Sequence, residues 1–178
     1  NYNNWAFVDC KNLTSITVSE NNSFYQSIDG NLYSKDGKNL IQYAIGKKDT
    51  TFTIPDSVHT IRVGSFEGAL YLTSINVGDN VRTLGIGAFR SCENLTSVVI
   101  GRNVHTIEKQ AFLNCFSLTT ITVDEENSYY QSIDGNLYTK DGATLIQYAI
   151  GKTAMSFTIP DSVTSIGDDA FADCRSLT

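Results

Sequence analysis

The sequence is poor in several residue types that other folds depend on. Its 178 residues include two prolines (Pro55 and Pro160), two histidines (His59 and His105), one tryptophan and one methionine. Two histidines leave little room for histidine-based catalysis or a histidine-rich metal centre. Charged residues are only 18% and hydrophobic residues 41%, which argues for a packed fold rather than disorder. Lys and Arg total 13 against 19 Asp and Glu, a formal net charge of −6. A nucleic-acid partner is therefore not expected, because such proteins carry a basic excess or patch. No apolar run approaches the roughly 18–20 residues needed to cross a bilayer, so no membrane insertion is expected. Asn1 to Asp9 hold no basic segment leading into an apolar stretch, and no signal peptide is visible there.

What the chain does have is repetition. Phe66, Phe89 and Phe112 are 23 residues apart, as are Leu72, Leu95 and Leu118, and Ile75, Val98 and Ile121. A period of 23 lies in the leucine-rich-repeat range of about 20–29. A second period of 105 links Phe7 to Phe112, Cys10 to Cys115 and Pro55 to Pro160. Since 3 × 23 + 36 = 105, each long block carries one 36-residue insertion, at 19–54 and 124–159, and 26 of those 36 positions are identical between the two copies. Neither end resembles the polar capping repeats that close solenoids. Residues 1–178 are thus expected to be one solenoid piece, cut from a longer array.

The fold class expected is an α/β solenoid, mostly β. Segments Leu13–Val18, Leu72–Val77, Leu95–Ile100 and Leu118–Val123 alternate inward and outward residues and are rich in β-branched types, so they are predicted to stack as short parallel strands. The stretch Ala111–Cys115 is predicted to turn the chain back as a short helix or 3-10 turn. The insertions are predicted to be β-hairpins, because each holds two Asp-Gly pairs: Asp29-Gly30 and Asp36-Gly37, then Asp134-Gly135 and Asp141-Gly142. Asp-Gly favours type I′ turns, whose two central residues both need positive φ.

Candidate chemistry is sparse. Cys10, Cys92, Cys115 and Cys174 each follow a repeat Phe by three residues, so they point the same way in their coils rather than toward one another. No Cys-x₂-Cys spacing for zinc is present, and buried hydrophobic thiols are expected. The two histidines have no recognisable Ser or Cys nucleophile. No calcium-loop pattern accompanies the acidic residues. No catalytic residue, metal ligand or cofactor is assigned.

The unit Leu95-x-x-Val98-x-Ile100 … Val104-x-x-Ile107 … Ala111-Phe112-x-x-Cys115 resembles the BspA-like leucine-rich repeat of bacterial surface proteins. The inserted segment SIDGNLYSKDGKNLIQYAIGK is similar to one that recurs in the same family. The resemblance covers residues 6–178. It implies a right-handed solenoid, a cell-surface or secreted setting, and adhesion to host proteins or other cells, with no catalytic residues. Ala69 and Ser65 depart from the repeat Cys and Ala, and Val99 puts an apolar residue at an outward position.

Two surfaces are candidates for binding an extracellular protein or glycan. Seven of the nine tyrosines lie in the insertions, and Tyr25, Tyr33, Tyr43, Tyr130, Tyr138 and Tyr148 are the candidates there, because tyrosine offers large area and a polar tip. The alternative is that they pack the hairpins' own faces. The second surface is the outward strand row Ser74, Asn76, Ser97, Val99, Thr120 and Thr122. The competing role is a structural spacer that presents another domain.

Overall fold

The computed structural model describes residues 6–178; Asn1 to Trp5 lie outside the described residues. The chain is a stack of coils joined by two kinds of ladder. The elements in order are β1 (Tyr25–Ile28), β2 (Asn31–Ser34), β3 (Asn39–Gln42), β4 (Thr51–Thr53), β5 (Thr60–Ile61), β6 (Ser74–Asn76), β7 (Thr83–Leu84), β8 (Ser97–Ile100), β9 (Thr106–Ile107), β10 (Thr120–Val123), β11 (Tyr130–Ile133), β12 (Asn136–Thr139), β13 (Thr144–Gln147) and β14 (Ser165–Ile166). The first ladder is parallel, in the order β4, β6, β8, β10. Its register advances by one repeat per step, pairing Ile75 with both Phe52 and Val98, and Val98 with Ile121. The second ladder, β3, β5, β7, β9, pairs Leu40 with Ile61, Ile61 with Leu84, and Leu84 with Ile107.

Inward residues of both ladders form the core. Val58, Ile61, Leu72, Ile75, Leu84, Leu95, Val98, Leu118 and Ile121 are buried. Through the core runs a file of rings, one per coil. Centroids are 5.1 Å apart for Tyr43–Phe66, 5.2 Å for Phe66–Phe89 and 5.6 Å for Phe89–Phe112. One coil cannot bury its apolar face alone, so these ring contacts are what couple neighbours. The coils press closely enough that a Cβ on Gly101 would fall 2.0 Å from the carbonyl oxygen of Gly78, which only glycine avoids.

The file of rings redefines the insertions. Tyr43 is 23 residues before Phe66, and Tyr148 is 23 before Phe171. Tyr43 is stacked on Phe66, and Tyr148 is stacked on Phe171 at 5.3 Å. Each 36-residue segment is therefore not material added between coils. It is one coil enlarged by 36 − 23 = 13 residues, with the extra length spent on a hairpin. The hairpin strands β1 and β2 are antiparallel, and β3 continues that meander while also serving as the coil's own second-ladder strand. The insertion thus lies in the stack rather than standing away from it.

Three local expectations are corrected. No helix forms among the described residues, and Ala111–Cys115 is a series of turns. Left-handed residues recur four apart in the plain coils, at Gly64 and Gly68, Gly87 and Ser91, Gln110 and Asn114, and Asp169 and Asp173, and they interrupt any helical run. Successive amides of each such turn alternate between bonds inside the turn (Leu113 to Gln110 at 3.1 Å) and bonds to the next coil (Phe89 to Ala111 at 2.9 Å), so the turns stack as the strands do. Leu13–Val18 is not a strand, because no preceding coil among the described residues supplies the ladder partner that β8 supplies to β10. Only one Asp-Gly pair per insertion makes a type I′ turn. Asp29 and Gly30 have φ of 47° and 71°, whereas at the second pair only Gly37 is positive, at 73°. There the Gly37 amide bonds the Ser34 carbonyl at 2.9 Å, as in a type I turn closed by a glycine bulge.

Candidate binding surfaces

The structure divides the tyrosine candidates. Tyr33, Tyr43, Tyr138 and Tyr148 are buried, and they present no surface to a partner. Their place follows from the enlarged coil: Tyr43 and Tyr148 hold the ring-file position that Phe takes elsewhere, and Tyr33 and Tyr138 sit on the inward side of β2 and β12. Burial pushes the Tyr33 phenol up to about 12. The ammonium groups of Lys47 and Lys152 lie over the rings of Tyr43 and Tyr148 at 5.7 and 5.5 Å. Each also donates to the carbonyl of the hairpin turn, Asp29 and Asp134 respectively, so one lysine ties the hairpin to its coil.

Tyr130 and Tyr25 stay nearer the surface, and Tyr130 has a structural task. The hairpin β11–β12 enters between β9 and β13, so the second ladder stops at β9 and resumes in a separate sheet, β11, β12, β13, β14. The Tyr130 hydroxyl accepts from the Ile107 amide and donates to the His105 carbonyl, 3.2 Å from each. The first ladder stops at β10 in the same way, where the Ile121 amide bonds the Gly135 carbonyl at 2.8 Å and its carbonyl accepts from the Ser132 hydroxyl. Asn127 completes the junction. Its amide donates to the carbonyls of Gly101 and Val104, and its oxygen accepts from the amides of Tyr129 and Tyr130, all within 2.8–2.9 Å. The second insertion is therefore an internal cap: its side chains and the Gly135 carbonyl satisfy the backbone edge that the next coil would otherwise cover. A cleft of about 200 Å³ remains where β9 and β13 part, bordered by Ile107, Phe112, Ile146 and Gly167.

The outward row of the first ladder is as the strand alternation requires. Asn76, Val99, Thr120 and Thr122 are exposed, and Ser74 and Ser97 are half-buried with their hydroxyls 3.1 Å apart. Val99 is 40% exposed with Asn76 on one neighbouring strand and Thr122 on the other. Just before these strands the hydroxyls of Thr73, Thr96 and Thr119 each donate to the carbonyl of Thr one coil back, at 3.0, 2.9 and 3.2 Å. That file is structural and ties each coil to the one before it.

The cysteines also divide. Cys92 and Cys115 are buried, and their thiols donate to the carbonyls of Phe66 and Phe89 one coil back, at 3.1 and 3.0 Å. Cys10 is exposed and Cys174 half-buried, so burial holds for only two of the four. Ala69, which stands at this position one coil earlier, is explained by Gln42. The Gln42 amide donates to the Tyr43 carbonyl at 2.9 Å, the acceptor a cysteine there would have used. Ser65 is likewise satisfied, by the carbonyls of Leu40 and Arg62 at 3.0 and 2.8 Å.

Sequence reasoning passed over Asn127, Arg82 and the aromatic pair Phe24 and Tyr129. Phe24 is 75% and Tyr129 54% exposed. The signal was present: Asn22 matches Asn127 and Phe24 matches Tyr129 at the 105-residue step.

With this architecture in view, a sequence model of the BspA type leucine rich repeat region matches six copies in the chain, over residues 46–139 and 147–178. No curated protein matches the chain. Among solved structures, it is similar to the pneumococcal vaccine antigen PcpA, at 19% identity over 93% of this chain and 48% of that one, with a TM-score of 0.54. A leucine-rich repeat protein of T. pallidum aligns at 22% identity over 90% of this chain and 69% of that one, with a TM-score of 0.53. One from Bacteroides ovatus aligns at 24% over 91% and 40%, also at 0.53. These likenesses show the fold. The chain spans 56% of a Eubacterium ventriosum leucine-rich repeat protein and 48% of PcpA, about half of each. The six matched repeats, which cover more than half of the chain, establish that it belongs to the BspA-type leucine-rich-repeat family.

Proposed function

We propose that this solenoid is the binding section of a cell-surface or secreted protein and that it engages an extracellular protein through the outward row of the first ladder, in adhesion to a host or to other cells. The role is presentation of a surface, not catalysis. The observation that carries the reading is Val99. An exposed valine at the centre of a flat row of small, uncharged side chains serves no core, and such a patch with a polar rim suits protein contact. The setting outside the cell is supported by the family and by the likeness to a vaccine antigen.

The test is a surface-binding screen of the chain against immobilised extracellular-matrix proteins, repeated with Val99→Asp and Thr122→Asp. Saturable binding weakened about tenfold or more by either variant is expected for a contact at the centre of an interface. Binding to none of them, or binding that both variants leave intact, counts against this row as the site.

The second reading is a spacer that holds another domain away from its anchor. It is favoured by the burial of four of the six tyrosine candidates and by the capping work of Tyr130. Under it, variants of Tyr25 and Val99 leave every measured partner unaffected.

A further inference from the structure

The junction between the plain coils and the second insertion leaves an open groove of about 580 Å³. Its walls come from three successive levels of the stack: Arg82, then Arg102, Asn103 and His105, then Glu126 and Tyr129. The two arginines differ. Arg102 is held by two carboxylates that together outweigh its charge, with Nη2 3.1 Å from Asp79 and Nη1 2.6 Å from Glu126. Arg82 makes no ion pair among the described residues, so its exposed guanidinium is a cation without a partner on an acidic protein. On the groove wall, the Tyr129 ring tilts against the His105 imidazole with centroids 5.6 Å apart, and the residue is about half exposed.

The two insertions add a second observation. The position of Tyr129 is Phe24 in the first block, and there too the ring is exposed. An aromatic ring kept in both copies, outside the core and with its hydroxyl dispensable, is kept for its face. Such a ring offers large contact area to a bound partner.

We propose that this groove binds a saccharide residue that carries a carboxylate, with the sugar's C–H face stacked on Tyr129 and the carboxylate paired with Arg82. The planar guanidinium fork matches a carboxylate with two parallel hydrogen bonds. Asn103 and His105 add polar groups to the wall. The volume lies in the ~300–1,000 Å³ range of small-ligand sites, but the polar and open form suits a hydrated sugar better than an apolar molecule. An acidic peptide would satisfy Arg82 and would leave the retained bare ring without a purpose. The site is separate from the strand row, so the two readings stand or fall independently.

The experiment is an amide-resolved NMR titration of the whole chain with three probes: a hyaluronan tetrasaccharide, which alternates glucuronate and N-acetylglucosamine, the neutral chitotetraose, and hexaglutamate. The expected result is saturable shifts at Tyr129, His105 and Arg82 with the hyaluronan fragment. Affinity should fall about tenfold or more in Arg82→Ala and in Tyr129→Ala, and stay within about twofold in Tyr129→Phe, the residue type found at position 24. Both sites are exposed, and circular dichroism checks that the variants remain folded. The proposal is overturned by no saturable response to the hyaluronan fragment or by binding that survives Tyr129→Ala. Equal affinity for chitotetraose removes the carboxylate from the assignment, and equal affinity for hexaglutamate makes the groove a peptide site instead.

Discussion

The Tyr130 hydroxyl lies 3.2 Å from the amide nitrogen of Ile107, in the position a backbone carbonyl of the next coil would take. Removing that oxygen orphans the Ile107 amide and the His105 carbonyl at once. Tyr130→Phe is expected to lower unfolding free energy by about 1–2 kcal/mol, mainly the cost of leaving the half-buried Ile107 amide unpaired, since the exposed His105 carbonyl can turn to water. Urea denaturation gives the size of the loss. Hydrogen exchange gives its place, since the Ile107 amide should exchange faster while that of Leu84 does not. Tyr25→Phe, at the equivalent but exposed position, should change stability by less than about 0.5 kcal/mol.

Asn127 is fully buried and uses both ends of its side chain. Asn127→Ala strips partners from two carbonyls and two amides, and a loss of about 2–3 kcal/mol is expected. Asn22 makes only the local half of this set, to the amides of Phe24 and Tyr25 at 2.8 and 2.9 Å. Asn22→Ala should therefore cost clearly less. Equal losses for the two in denaturant melts would contradict the capping role assigned to the insertion.

Phe89 has a ring on each side, Phe66 and Phe112, and none of its surface reaches solvent. Phe89→Ala should cost about 3–5 kcal/mol through lost burial and the cavity left behind. Because the coils depend on their neighbours, the loss should appear as a lower midpoint of one cooperative transition. A separate early transition confined to that coil would show that the ring file does not couple the stack.

The thiols offer a readout of burial and of pH. In the folded chain Cys10 and Cys174 should react with a disulfide reagent, while Cys92 and Cys115 react only on unfolding. Burial pushes the Cys115 thiol up to about 12 and moves Cys92 in the same direction. Tyr33, also near 12, Tyr138 and Tyr148 are raised by burial as well. For acids raised on folding, the unfolded chain releases protons first. Stability is therefore fully present below the unfolded thiol value of about 8.5 and declines as pH climbs through about 10 toward 12. Denaturant midpoints measured from pH 7 to 11 should fall along that course, and Cys115→Ala should weaken the fall near pH 9. A midpoint rising through this range would contradict it.

Much of this was legible in the chain alone. The 23-residue step by itself places Ile75, Val98 and Ile121 in register, because a stacked coil must put the same residue type in the same place. The strand row Asn76, Val99 and Thr122 follows from the two-residue alternation. The helical turn at Ala111–Cys115 was misread because its left-handed residues are Gln110 and Asn114, which do not announce themselves as Gly64 and Gly68 do. The tyrosines misled for another reason: composition shows that seven lie in the insertions but not which side of a strand each faces.

The sequence by itself determined the solenoid, its period, its ladders and the duplication, since all of these are consequences of repeated local pattern. The tertiary structure alone decided that each insertion is a coil enlarged by a hairpin, and that the second hairpin closes the ladders it interrupts. That outcome depends on where Tyr130 and Asn127 meet the backbone of residues 101–107, a contact across 23 or more positions that no periodic pattern encodes.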